Sequence, residues 1–254
     1  MKDAVIVSTA RSPIGVAFKG TLNNIKSPTL TAHAIRHAVE RSGVGGDEID
    51  DVIIGAVLTA GTAGMNIGRL ASLGAGLPNT VSGQTIDRQC SSGLMAIATA
   101  AKQIIVDGMD IVVAGGQDNI SAVQNQYFPW VADQADANVV MHAEHAYMPM
   151  LLTAEHVVKQ YGITREAQDE YALQSQMRTA AGQQAGAFDK EIVPISATRA
   201  IKNKESGEIS YSDAVLEKDE GNRPQTTLEG LAGLNPVAVS YTHLRAHETK
   251  TRIS

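Results

Sequence analysis

The sequence predicts an α/β fold built from parallel βαβ units. Short runs rich in β-branched residues alternate with longer segments of helical period, the order that gives a parallel sheet covered by helices. Glycine is frequent (23 of 254 residues) and aromatic residues are scarce (4%), so Ala, Val, Ile and Gly must do the packing. The apolar content of 43% is ordinary globular usage.

Ala4–Thr9 is a short β-branched run that reads as a buried strand. Ser27-Pro28 opens a helix, with Ser as cap and Pro as first helical residue; Leu30, Ala34, Ala38 and Val39 give it an apolar face, and Gly43 stops it. Asp51–Leu58 reads as the next strand, Asn66–Leu73 as a short helix ended by Gly74, and Thr80–Ile86 as a strand. Ser91–Val106 is a long helix, and Ile111–Ala114 a fourth strand closed by Gly115-Gly116. Residues 1–118 therefore form one α/β layer structure.

The pattern then breaks. Residues 117–150 show little period but hold Tyr127, Phe128, Trp130, Met141, Met148 and Met150, and read as a functional loop or lid, or as a surface excursion packed by its own aromatics. Helical signals return over Thr153–Gln160, ended by Tyr161-Gly162, and over Thr164–Gly186, with Thr164 as cap and Glu166, Asp169 and Glu170 in its first turns. Lys190–Ile195 reads as an edge strand because Pro194 interrupts it. Residues 199–225 read as a charged surface meander. Residues 119–237 are taken as a second, mainly helical domain. Ala238–Ser254 stands apart: it carries three Lys/Arg against one Glu in a chain whose net charge is −6.

The mildly acidic balance, without basic blocks, argues against a nucleic-acid partner. No run approaches the roughly 18 apolar residues of a membrane span. The N-terminus lacks a leader pattern, which predicts a cytoplasmic chain. One cysteine permits neither an internal disulfide nor a cysteine-based zinc site. His142-x-x-His145 could be half of a metal site, but no third ligand has suitable spacing. There is no dinucleotide fingerprint, P-loop, G-x-S-x-G or H-E-x-x-H.

The chemistry centres on Cys90, in Asp87-Arg88-Gln89-Cys90-Ser91-Ser92-Gly93-Leu94. It follows a predicted strand and begins a predicted helix, the logic of a nucleophile elbow. The partial positive charge and free N–H groups of a helix start favour a thiolate, and the thiolate is the nucleophile. Ser91, Ser92 and Gly93 are small enough to let a substrate carbonyl approach. The alternative is an inert buried cysteine. A nucleophile also needs a base, and none of His33, His37, His142, His145, His156, His243 and His247 stands in a context that marks it; His33 and His37 read as surface residues of one helix face.

At these residues the chain resembles the thiolase family of acetyl-CoA acyltransferases. Val7–Gly15 is similar to the family's opening, and Asp87–Leu94 to the motif around its acyl-carrying cysteine. Ala114–Asn119 resembles the stretch after the fourth strand. Thr153–Glu155, Tyr161–Asp169 and Phe188–Pro194 resemble the family's loop domain. The resemblance covers about residues 1–237 and implies a thiolase-like layered domain with an inserted α-rich loop domain. It implies that Cys90 attacks a 3-ketoacyl-CoA or acetyl-CoA thioester, becomes acylated, and passes the acyl group to a second acyl-CoA or to CoA. No cofactor is implied beyond these CoA thioester substrates. By alignment Arg223 falls near the CoA nucleotide, and Met150 lines the acyl pocket. The resemblance also implies a homodimer or homotetramer. Rival readings are a ketoacyl-synthase-type condensing enzyme and a non-catalytic acyl-CoA-binding protein.

The chain departs from the family in several places. Pro149 stands for a histidine and Leu151 for a glycine, which opens a broader 3-ketoacyl-CoA range. Gly64–Arg69 departs from G-Q-N-P-A-R but keeps Asn66 and Arg69. An intact member continues into a final strand and a second α/β domain carrying N-E-A-F, G-H-P and C-x-G motifs. None of them occurs here, so the chain is expected to be a fragment, nearly inactive alone, with Ala238–Ser254 a non-native tail.

Overall fold

The computed structural model describes residues 3–236; the tail reading of Ala238–Ser254 lies outside them. The described chain forms two compact units. Within the described residues the first comprises 3–130 and 188–221, and the second 131–187 and 222–236.

The first unit is built on a three-stranded parallel sheet. β1 (Asp51–Gly55) lies in the middle, paired with β2 (Ser82–Ile86) on one side and β3 (Val112–Gly116) on the other. β1 is buried along its whole length, because both faces of the sheet are covered. Val52 and Ile54 face α1 (Ser27–Ser42) and α2 (Ile67–Gly74), packing with Ala32, Ile35, Ile67 and Ala71. Ile53 points the other way, onto Ala96 and Ala100 of α3 (Ser92–Lys102). A continuous apolar run of β-branched residues is what a strand sandwiched between helix layers requires, and it is the reason that Val52-Ile53-Ile54 was legible as a strand.

The helix boundaries follow local chemistry. Gly43 ends α1 at φ 72°, a left-handed conformation that glycine adopts without cost. The cap of α1 is Lys26 rather than Ser27; Ser27 lies inside the helix, with its buried hydroxyl bonded to Thr62 Oγ1 at 2.8 Å. Asn66 caps α2 through its side chain, which accepts from Arg69 N. The predicted helix Ser91–Val106 is shorter than expected: after Lys102 it widens into a π turn over Gln103–Asp107, ended by Gly108.

Ala4–Thr9 is a correction. The segment has no regular secondary structure and belongs to no sheet, and Val5, Ile6 and Val7 are each more than 70% exposed. Its composition is that of a buried strand, but a strand needs a neighbour to take its backbone hydrogen bonds, and none of the described strands supplies one. The chain is instead anchored just downstream. Arg11 donates from Nε to Glu191 at 2.7 Å and grips Asp219 with its two terminal nitrogens, Nη1 and Nη2, at 2.8 and 3.0 Å, while its face lies over Phe188.

The expected edge strand at Lys190–Ile195 and the meander at 199–225 are also corrected. Ile192 makes only an isolated bridge to Arg11, and the strand β4 (Ile195–Lys202) begins after Pro194, pairing antiparallel with β5 (Ile209–Leu216). Pro194 therefore precedes the strand instead of interrupting it, a position that needs no N–H in the ladder.

Residues 117–150 hold more order than their sequence promised. α4 (Ile120–Asp133) accommodates Pro129, and α5 (Ala137–His142) is capped by Asp136, whose carboxylate accepts from Asn138 N and Val139 N. The short polar loop between them and the proline masked the helical period.

The second unit is helical. α6 (Met150–Tyr161) ends on left-handed Gly162, and α7 (Arg165–Gln184) starts at Thr164, whose hydroxyl accepts from Ala167 N. Arg165 ties α7 to α8 (Leu228–Ala232): it pairs with Asp169 at 2.9 Å and donates to Leu231 O at 2.6 Å. Among the described residues no helix is long and apolar enough to cross a membrane.

Candidate active site

Cys90 sits in the turn between the end of β2 and the start of α3, at the C-terminal side of the parallel sheet, where ligands of open α/β sheets gather. The side chain is free and exposed, so among the described residues it is not packed as a small buried hydrophobe. Gln89, the residue before it, adopts φ 49°, a left-handed conformation rare for a residue with a side chain. Strain of this kind persists only where the surroundings over-determine it, and here they do. Gln89 N donates to Asp87 Oδ1 at 2.8 Å. The Ser92 hydroxyl donates to Gln89 O at 2.6 Å and accepts from Arg88 N at 2.8 Å. Ser92 N donates to the same Gln89 carbonyl at 2.9 Å. One buried serine thus closes the turn around Cys90 from both sides.

Three glycines let α3 reach this place. A Cβ on Gly55 would fall 2.2 Å from the Ser92 carbonyl carbon, and one on Gly116 would fall 2.9 Å from Gly93 Cα. The first turn of α3 therefore rests directly on the ends of β1 and β3, and no side chain fits between them. The loops leaving those two strands are tied as well, because the Asp118 carboxylate accepts from Val57 N and Leu58 N at 3.1 and 2.9 Å. Beside the turn, Asp87 lines a cavity of about 290 Å³ with Thr59, Met65, Asn66 and Thr85. Asn66 is itself left-handed at φ 62° and is held by Thr85 Oγ1 at 2.9 Å and Gly83 O at 2.8 Å.

No base for Cys90 emerges from this unit. Its two histidines are both engaged on α1. His33 Nε2 contacts Val193 O at 3.2 Å, and His37 Nδ1 meets Glu40 Oε2 at 2.9 Å. His33 is half-buried rather than a plain surface residue, and burial, with the neighbouring His37 and Arg36, lowers its pKa. His142, His145 and His156 belong to the second unit, and His243 and His247 lie outside the described residues. Among the described residues no group of three or more His, Cys, Asp or Glu could hold a metal ion.

The other two candidate residues lie in the second unit. Met150 opens α6 after the cap Pro149 and is 74% exposed. Arg223 has an exposed side chain, while its backbone is fixed: Arg223 N donates to Gln176 Oε1 at 2.7 Å, and Arg223 O accepts from Thr226 Oγ1 at 2.7 Å. No bond joins Met150 and Arg223 to each other. Sequence reasoning missed Ser92, Gly55 and Gly116 as the residues that position Cys90. The signal available for Ser92 was the small-residue run after the cysteine; for the two glycines it was their place at strand ends.

Comparison with known proteins agrees with this architecture. Residues 4–241 match the family model described as "Thiolase, N-terminal domain". The acetyl-CoA acetyltransferase of Cupriavidus necator is 42% identical over 246 residues, covering 93% of this chain and 60% of the relative. The 3-ketoacyl-CoA thiolase of Bacillus subtilis is 39% identical, covering 93% and 59%. Among solved structures, the Bacillus anthracis acetyl-CoA acetyltransferase superposes with a TM-score of 0.76 at 38% identity, again over 93% of this chain and 59% of that one. The chain belongs to the thiolase family. It spans about three fifths of the length of these relatives.

Proposed function

We propose that this chain carries the acyl-accepting half of a thiolase, with Cys90 as the nucleophile. The observation that supports this most is the elbow itself: an exposed thiol held at the end of β2 by a strained residue and a doubly bonded serine. In the thiolytic direction the Cys90 thiolate adds to the 3-keto carbon of a 3-ketoacyl-CoA. The bond between C2 and C3 breaks, its electrons leave on C2 of acetyl-CoA, and that carbon takes a proton. The acyl group remains on Sγ as a thioester, and a CoA thiolate then removes it as acyl-CoA. This is ping-pong covalent catalysis; run backwards with acetyl-CoA it is a Claisen condensation.

In this reading Arg223 serves the nucleotide end of CoA, and Met150 lines the acyl pocket. No cofactor takes part beyond the CoA thioesters. The complete protein acts in the cytoplasm as a homodimer or homotetramer, without nucleic-acid or membrane partners. The family's proton-transfer groups lie in the part of the relatives that this chain does not match. A missing general base lowers the rate by a factor of roughly 10² to 10⁴, so the chain alone acylates slowly and turns over poorly.

Incubation with acetoacetyl-CoA and CoA tests the proposal. The expected result is a slow, single acetyl addition located on Cys90 by peptide mass mapping, absent in Cys90→Ser, with little release of product. Turnover at the rate of an intact thiolase would overturn the fragment reading. CoA binding without any acylation of Cys90 would instead favour a non-catalytic acyl-CoA-binding protein.

A further inference from the structure

α1 covers the face of the sheet opposite α3, so its outer side is remote from the Cys90 turn in the layer order. His33 and His37 stand one turn apart on that helix, at the i,i+4 spacing that places two side chains on one face. Their ring centres are 4.7 Å apart, with the planes at 68°. Imidazoles bound to one metal at about 2.0–2.1 Å, with bond angles of about 90–109°, hold their ring centres about 4.5–5.2 Å apart. The observed pair falls in that range.

The partners of the two rings fix which nitrogens are left over. His33 Nε2 lies 3.2 Å from Val193 O. A carbonyl can only accept, so Nε2 carries the hydrogen and, in the neutral ring, Nδ1 keeps a lone pair. His37 Nδ1 lies 2.9 Å from Glu40 Oε2, so in its neutral ring Nε2 keeps the lone pair. Metal-binding histidines have this outer arrangement, with the far N–H held by a backbone carbonyl or a carboxylate. Both outer partners are in place without a metal. Val193 is buried, and its own N–H donates to Arg11 O at 2.9 Å. Glu40 follows on the same helix face, three residues after His37. The neighbouring cations are committed to backbone carbonyls: Arg36 donates to Gly74 O, and Arg41 to Thr9 O and Lys190 O.

We propose that His33 Nδ1 and His37 Nε2 form a two-ligand site for a divalent transition cation. Two imidazoles select Zn²⁺, Ni²⁺ or Cu²⁺ over Mg²⁺ and Ca²⁺, which take oxygen ligands. Among the described residues no third side chain completes the set, so water fills the remaining positions. Both histidines are half-buried, which leaves the cation an approach from solvent. The bound ion joins successive turns of α1 and, through the His33 N–H, ties the helix to the backbone at Val193. The site uses no residue of the Cys90 turn and holds whether or not Cys90 is acylated.

The experiment is a titration of the ¹⁵N-labelled full chain with Zn²⁺ at pH 7.5, followed by two-bond proton–nitrogen correlations of the imidazoles. The resonances of His33 Nδ1 and His37 Nε2 should move together, with one half-saturation point, while His33 Nε2 and His37 Nδ1 stay protonated. Mg²⁺ at the same concentration should move neither. His37→Gln, at a partly exposed position, should weaken binding at His33 by about tenfold or more, because the second contact is no longer intramolecular. Glu40→Gln, which removes the outer carboxylate but neither ligand, should weaken it by about tenfold. Binding through His33 Nε2, a response at only one of the two rings, or Zn²⁺ confined to Cys90 or to the other histidines would each overturn the proposal. So would a His33 response that is unchanged in His37→Gln.

Discussion

The Ser92 hydroxyl donates to the Gln89 carbonyl at 2.6 Å, and this bond spans Cys90, the proposed nucleophile. Because the same oxygen accepts from Arg88 N, one side chain satisfies both strands of the turn around Cys90. Ser92→Ala removes both bonds and leaves Arg88 N without that acceptor. The expected loss is about 1–3 kcal/mol of turn stability. Acylation of Cys90 by acetoacetyl-CoA should slow by about tenfold or more. Time-resolved intact mass measures the rate, and thermal melting measures the stability. An unchanged acylation rate would mean that the turn is set by the backbone alone.

The rest of α3's placement depends on absent side chains. Gly55→Ala puts a methyl group 2.2 Å from the Ser92 carbonyl carbon, a backbone atom that cannot swing away. The helix start must lift from β1, at a cost of about 3 kcal/mol. Urea unfolding should show this as a lower midpoint, and the Cys90 acylation rate should fall with it. The exposed left-handed Gly43, whose Cβ would meet nothing, is the control. Gly43→Asn, at a helix end where asparagine tolerates the conformation, should cost far less. Equal destabilisation at both positions would refute the packing argument.

These two glycines show where sequence reading reached and where it stopped. The buried run at Val52-Ile53-Ile54, the cap at Thr164 and the elbow cysteine were legible because each depends on residues adjacent in the chain. The contact between Gly55 and Ser92 was not, because it joins positions 37 apart through the packing of a helix on a strand. Ala4–Thr9 failed for a related reason. Its composition is strand-like, but pairing belongs to two segments, and the second is absent from the described residues. α4 and α5 failed because Pro129 and the intervening polar residues hid a helical period that tertiary contacts still enforce.

The acid stability of the first unit should report the clamp at its N-terminal segment. The Arg11 hydrogen bond holds the Asp219 carboxyl below the usual carboxylate range, aided by Ile14 N and opposed by burial. Burial works to raise Asp51, but Gln84, Gln103, Ser82 and Val52 N outweigh it and leave it lowered as well. A carboxylate with a depressed folded pKa stabilises the fold fully above its unfolded value of about 3.9. That contribution disappears as the pH falls through the lower folded value, because the unfolded chain then binds more protons. Urea midpoints should therefore fall steeply below about pH 4. Asp219→Asn should lower the midpoint at neutral pH and flatten the acid slope. A slope identical to that of the unaltered chain would show that the Asp219 clamp contributes nothing to the acid transition.

Arg223 offers a test confined to the second unit. Its backbone is fixed at Gln176 and Thr226 while its side chain is exposed and makes no ion pair among the described residues. Removing that side chain should cost the fold little, since exposed charges contribute about 0–1 kcal/mol. If the guanidinium meets the phosphates of CoA, its loss removes a charge-assisted contact of about 1.5–3 kcal/mol. Arg223→Ala should then weaken CoA binding by about tenfold or more in calorimetry, with the melting temperature unchanged. Arg223→Lys should recover part of the affinity, because an ammonium keeps the charge but loses the bidentate fork. The same comparison with dephospho-CoA separates the phosphate from the rest of the ligand. An affinity for CoA that is equal in all three proteins would remove Arg223 from the binding site and leave the nucleotide to another part of the surface.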